Sequence, residues 1–431
     1  MACLWRMSSG LQASLIKGAE MRDTLNRRLL FAAITLAIAT PVALAKTYTV
    51  NFDGSQDYTT IQAAINAAGN GDKVKVYPGT YQETIDFKGK RITVFGKDGA
   101  SDTKIDAQFQ GSAVTFDSSE GRNSELRGFT IIHGSGTWGS YNGDSGYAGG
   151  GVYISSTDPT IRDCVFQYNQ AKFGGGAGIG FQSEPLFKNC TFRDNQAYGG
   201  GLGGAVYALL SKPTFKDTSF KFNSSTLDGG AIFTNNCDIK IDKCTFLKNT
   251  ADQDGGGMQN YYSDVEIDDS NFKKNQAASG GGGVALDESV AEIRKSKFQK
   301  NIAGAAGGVG VIEGYLEMVD CDVKKNEADG YYVYVPELSK YAGGVGIFDS
   351  GFKLQDTKIT KNSADQCGGV GIYDSIGKIN DCTVEDNGKH GIYILDNGGN
   401  VDLRDSKVCD NSGQDVKGPF DDLGGNSICD E

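Results

Sequence analysis

Histidine and tryptophan occur only twice each in the 431 residues, methionine five times and proline seven times. No Cys/His spacing suggests a zinc site. No apolar run reaches the roughly 20 residues that a membrane-spanning helix needs. Glycine is plentiful, 61 residues, but follows no Gly-X-Y period, which excludes collagen. A disordered chain is excluded by a hydrophobic content of 39%, enough for a sizeable core. Positive charge is in short supply: 42 Lys and Arg stand against 54 Asp and Glu, a net charge of −12.

The first 45 residues read as an export leader rather than part of the fold. Arg27 and Arg28 precede an apolar run from Leu29 to Ala39; Pro41 and Ala43-Leu44-Ala45 follow. A basic start, a short apolar stretch and an A-x-A site form a secretory signal. It would begin naturally at Met21, so residues 1–20 suggest a start placed too early, and the mature chain is expected to begin at Lys46. Removal takes away five basic residues (Arg6, Lys17, Arg22, Arg27, Arg28) and two acidic ones (Glu20, Asp23), so 37 positive charges face 52 negative ones, a net −15. Such a chain is not expected to bind nucleic acid. It is expected to be exported, without a membrane span in its mature part, and monomeric.

What the chain does contain is a repeat. Cys164-x-Phe166-x-x-Asn169 returns as Cys190-x-Phe192-x-x-Asn195 and Cys244-x-Phe246-x-x-Asn249. Ser270-x-Phe272-x-x-Asn275, Ser296-x-Phe298-x-x-Asn301 and Cys321-x-Val323-x-x-Asn326 continue it, and looser copies end at Asn223, Asn362, Asn387 and Asn411. Successive Asn residues lie 26, 28, 26, 26, 26, 25, 36, 25 and 24 apart. Most are followed by a Gly pair and a short apolar run, as in Gly307-Gly308-Val-Gly-Val311. A fixed period of this size means a solenoid or array. Alternation within Cys-x-Phe and after the Gly pair reads as strand. Three short strands in about 26 residues leave no room for a crossover helix. The chain must therefore coil, each strand beside its copy about 4.8 Å along the axis.

The expected fold is an all-β, right-handed, single-stranded parallel β-helix with an N-terminal helical cap. Residues 46–130 form the cap and first irregular coils, 131–411 the regular coils, and 412–431 a terminal loop. Thr59-Thr-Ile-Gln62 reads as a capping box opening a helix through Ala68. About ten regular coils after some three irregular ones imply a rod near 60 Å.

Tyr58-Thr-Thr-Ile61-Gln-Ala-Ala-Ile65, the Pro78-Gly79-Thr80-Tyr81 turn and the repeats together resemble the pectin-lyase-like right-handed β-helix superfamily. The Gly-Gly-Ala-Ile and Phe-x-x-Asn elements also resemble repeats of polymorphic outer-membrane proteins. The resemblance implies the fold across nearly all of the mature chain. It also implies a link to polysaccharide, since the superfamily holds pectate lyases, polygalacturonases, pectin esterases, alginate-active enzymes and non-catalytic adhesins. The catalytic motifs of those enzymes are missing: Lys389-His390-Gly391 only grazes a Gly-His-Gly element, and His133 sits where a coil turns. The expected function is non-catalytic contact with polysaccharide or a cell-surface glycan. The alternative is a lyase or glycoside hydrolase acting on an acidic polysaccharide such as pectate or alginate.

Candidate site residues fall in three groups. Two long insertions, Gly134 to Tyr147 and Asp329 to Tyr341, carry Trp138, Tyr141, Tyr147, Tyr331, Tyr332 and Tyr334, whose rings could stack on sugars. Counting five past each Gly pair gives an acidic ladder, Glu288, Glu313, Asp349, Asp374 and Asp396, of which the last four could hold Ca²⁺. A basic ladder, Lys248, Lys274, Lys300, Lys325 and Lys361, precedes the repeated Asn. Nine cysteines follow the leader; Cys164, Cys190, Cys244, Cys321 and Cys382 share one interior slot, whereas Cys409 and Cys429 flank a terminal loop that a disulfide could pin.

Overall fold

The computed structural model describes residues 44–141, 143–330, 340–395 and 400–429. Most of the expected leader, with Tyr331, Tyr332, Tyr334 and Asp396, lies outside them. Lys46–Glu431 form one compact unit. Among the described residues the chain makes an all-β parallel solenoid of about fourteen turns, wound through four sheets.

One coil shows the plan. Asp238–Asp242 lies in the first sheet, Thr245–Leu247 in the second, Thr250–Ala251 in the third and Met258–Tyr261 in the fourth. Each strand pairs in parallel with its copy in the next coil, as Phe246 with Phe272 and Met258 with Val284. The sequence pattern suggested three strands per coil. The third sheet was missed because its strands are mostly two residues long, too short to show alternation.

The inward residues stack along the axis. Phe166, Phe192, Phe220, Phe246, Phe272 and Phe298 form a column with ring centroids 4.3–5.2 Å apart, all fully buried. Burial pushes the Cys164, Cys244, Cys321 and Cys382 thiols up to about 12, so these are neutral core side chains rather than nucleophiles.

Three of the corners turn on a non-glycine residue with positive φ, such as Asp269 (45°), Lys274 (57°) and Glu288 (44°). Each is followed by a buried polar residue that receives a main-chain N–H from the neighbouring coil: Ser270 from Cys244, Asn275 from Asn249, Ser289 from Ser263. The Asn column runs unbroken from Asn169 to Asn411 and ends on Asp415. The acidic and basic ladders seen in the sequence are two of these corners. The turn residue points its side chain outward, which is why charge is tolerated there.

A helix, Ile61–Ala67, buries Ile61, Ala64 and Ile65 against the strands Thr47–Val50, Lys73–Val76 and Ile85–Asp86. Its N-cap is Thr60, not Thr59, and Gln62 does not reach back to close a box. Instead Glu83, from another segment, accepts the N–H groups of Ile61 and Gln62 at 2.7 and 2.9 Å. Burial raises the Glu83 carboxyl above its ordinary range, against the pull of those two donors. Glu83→Ala is expected to cost about 1–3 kcal/mol by orphaning two part-buried N–H groups. Hydrogen exchange at Ala64 and Ile65 checks this; protection equal to wild type would reject it.

Candidate functional site

Two surface features combine chemistry with shape. The first is the corner between the fourth sheet and the first. Phe181, Leu210, Asn236 and Tyr262 occupy it in four successive coils, with φ of 45°, 49°, 52° and 48°. At coil spacing they cover about 14 Å. Phe181, Leu210 and Tyr262 are 41%, 47% and 52% exposed, high for side chains of this kind. They line an open groove of about 760 Å³ with Glu184, Lys212, Asp238 and Asp264. Lys212 pairs with Asp238 at 3.4 Å, and the Tyr262 hydroxyl donates to Glu288 at 2.7 Å. The Glu288 carboxylate holds that hydroxyl proton above its usual range.

The same corner continues as Glu288, Glu313, Asp349 and Asp374. It therefore changes from apolar to acidic midway along the solenoid. Of these carboxyls, Asp349 is raised by burial and then by Asp374 beside it. Counting five past the Gly pairs Gly256-Gly257 and Gly175-Gly176 would have found Tyr262 and Phe181, whereas Leu210 lies six past Gly203-Gly204 and escapes the rule. The count began only where the residues became charged.

The second feature is the outer face of the fourth sheet. Tyr207, Phe233, Gln259, Ala285, Gly310, Gly346, Gly371 and Tyr393 lie in register along it. Two apolar clusters cover its ends, one around Phe173, Tyr207 and Phe233, the other around Tyr341 and Phe348. Tyr341, read from sequence as part of an exposed insertion, is fully buried and donates its hydroxyl to the Ile372 carbonyl at 2.8 Å. Gly371 makes room for it: a Cβ there would lie 2.6 Å from the Tyr341 ring. Between the clusters lies a cleft with the carboxylates of Asp254 and Asp287 and the amide of Gln259 in its lining. Burial, with repulsion from Asp254 and Asp287, raises neighbouring Asp228 to about 7; burial, with repulsion from Glu288, Asp254 and Glu313, raises Asp287 to about 6. None of these three Asp residues stood out in the sequence.

The first insertion is a hairpin, Thr137–Tyr141 against Asp144–Ala148. Trp138 and Tyr147 face each other across it, ring centroids 5.1 Å apart, 63% and 45% exposed. Tyr141 ends the first strand, its side chain outside the described set. His133 meets Asp106 at 3.0 Å, a corner contact. His390 Nδ1 accepts the Gln414 N–H at 3.1 Å. Cys409 and Cys429 are joined by a disulfide, Cα atoms 5.0 Å apart. No helix among the described residues is long and apolar enough to cross a membrane.

Four stacked sheets, continuous side-chain columns and a lateral groove define a parallel β-solenoid. Residues 150–314 and 337–418 match the family model described as the right-handed β-helix region. The chain belongs to the right-handed β-helix family. Among solved structures it is similar to PfbA, a surface adhesin of Streptococcus pneumoniae, at 16% identity over 85% of this chain and 88% of that one, TM-score 0.44. It is also similar to the catalytic unit of a GH87 α-1,3-glucanase from Streptomyces thermodiastaticus, at 15% identity over 85% and 65%, TM-score 0.42. A third is the mannuronan C-5 epimerase AlgE6 A-module of Azotobacter vinelandii, at 14% identity over 86% and 94%, TM-score 0.41. These likenesses carry no argument about what this chain binds. A search of curated proteins found no match.

Proposed function

We propose that the mature chain is an exported, non-catalytic protein that contacts polysaccharide through the groove along Phe181, Leu210 and Tyr262. The observation that carries this reading is the row of exposed apolar side chains, turned outward in neighbouring coils beside hydrogen-bonding groups. Large apolar side chains left in water along one edge, interrupted only by Asn236, mark a contact site. The coil spacing is comparable with the length of one pyranose ring, so rings can lie over successive side chains. Glu184, Asp238 and Asp264 outnumber Lys212, which favours a neutral glycan over pectate or alginate. The leader with Arg27, Arg28 and Ala43-Leu44-Ala45 supports export. In the same reading the helix Ile61–Ala67 shields the N-terminal end of the core from water.

The test is a screen of the mature protein against neutral, acidic and sulfated polysaccharides, reading both binding and new reducing or unsaturated ends. Binding to a neutral glycan without new ends is expected. Phe181→Ala/Tyr262→Ala should weaken it by about tenfold or more, roughly 1.4 kcal/mol, while Trp138→Ala leaves it unchanged. New chain ends would overturn the non-catalytic reading. Loss confined to Trp138→Ala would move the contact to the hairpin.

A further inference from the structure

The cleft on the outer face of the fourth sheet holds oxygen atoms with nothing to bind. Gln259 is 2% exposed, and its Oε1 is buried without a hydrogen-bond partner. Asp287, one coil further along, has no side-chain hydrogen bond or ion pair among the described residues. Asp254, 4% exposed, accepts the Gly280 N–H and a hydrogen bond from the Ser279 side chain. All three side chains line one cavity of about 30 Å³. That is space for about two water-sized spheres. Gly280, Gly281, Ala285, Ala306 and Gly310 form much of the remaining lining, so no bulky side chain fills the space. Negative charge converges there. Glu288 and Glu313 also act on Asp287, and Asp228 lies beside Asp254, its carboxylate accepting the Asp254 N–H at 3.0 Å. No Lys or Arg pairs with Asp228, Asp254 or Asp287 among the described residues.

A buried amide oxygen without a donor is costly, and so is a partly buried carboxylate without a counter-charge. One ligand answers both. We propose that Gln259, Asp254 and Asp287 form a site for a single hard divalent cation, with water completing its shell. The donors are all oxygen, which selects Ca²⁺, Mg²⁺ or Mn²⁺ over zinc or copper. A mixed set of two carboxylates and one amide, open on one side, suits the irregular geometry of Ca²⁺ better than the strict octahedron of Mg²⁺. The site is separate from the ladder of Glu313, Asp349 and Asp374, and does not rest on the glycan reading. It joins two coils, Gln259 and Asp254 in one and Asp287 in the next, so the ion would tie neighbouring turns together midway between the two aromatic clusters.

The experiment is calorimetric titration of Ca²⁺ into the chelator-treated mature chain, with Mg²⁺ in a parallel run. One Ca²⁺ per chain is expected, bound more tightly than Mg²⁺. Asp287→Asn, which changes a half-exposed side chain, should weaken binding by about tenfold or more. Asp349→Asn/Asp374→Asn should bind as wild type. Where Asp287→Asn does not fold, Gln259→Glu replaces it and should tighten Ca²⁺ binding. Absence of binding in wild type would overturn the site and leave the Gln259 amide turned to donate its NH₂ to the carboxylates. Wild-type affinity in Asp287→Asn or in Gln259→Glu would overturn it, as would loss of binding in the ladder variant.

Discussion

Replacing Asn275 by leucine is expected to destabilise the solenoid by about 3–6 kcal/mol, among the largest effects of any single change. Asn275 is fully buried at mid-ladder. Its Oδ1 accepts the Asn249 N–H at 3.0 Å and the Asn249 amide at 2.9 Å. Its Nδ2 donates to the Phe246 carbonyl at 3.1 Å and to Asn301 Oδ1 at 3.0 Å. Leucine has the volume but none of the polarity. It orphans the Asn249 main-chain N–H in the dry interior, at about 1–3 kcal/mol, and removes three side-chain hydrogen bonds, to the Phe246 carbonyl and to the Asn249 and Asn301 amides, at about 1 kcal/mol each. The urea midpoint measures the loss. Asn411, partly exposed at the end of the ladder, should tolerate leucine better. Equal losses at both positions would show that the contribution is local to each turn and does not depend on the column.

Phe246→Ala is the other large effect, expected at about 3–5 kcal/mol. The ring is fully buried between Phe220 and Phe272, with centroids at 4.7 and 4.3 Å. Its neighbours belong to strands locked into the second sheet, so they cannot close over the void. Phe246→Ile should cost less, since the same column runs on as Val323, Ile359 and Val384. A thermal unfolding series of the two variants reads the difference. An alanine variant as stable as the isoleucine one would mean the column is not close-packed. The exposed Phe181→Ala supplies a surface baseline, with little change expected in stability.

Both predictions rest on features that were legible in the chain. Asn275 and Phe246 were picked out as slots of a repeat, and Cys244 as an interior neighbour, because a coil repeats its inward pattern every 26 residues or so. Other features were not legible. Glu83 caps a helix that begins 22 residues earlier, and nothing in a single glutamate announces that contact. The two-residue strands of the third sheet are too short to alternate. Phe181, Leu210 and Tyr262 looked like unrelated loop residues until the corner placed them in line. Trp138 and Tyr147 were expected in an insertion, and the hairpin that pairs them shows that this insertion has strands of its own.

The sequence alone determined that the chain coils, which residues face inward, and that Asn, Ser and Phe form columns. The reason is that each coil touches only its neighbours, so the repeat in the sequence is the repeat in space. Only the tertiary structure decided what lies outside the coil. Tyr341 folds onto Gly371, two aromatic clusters form on the fourth sheet, and the cleft at Gln259 stays open between them. Those contacts join side chains that no period relates. They depend on which coils happen to lie under each insertion, and on how small the residues are at Ala285 and Gly310.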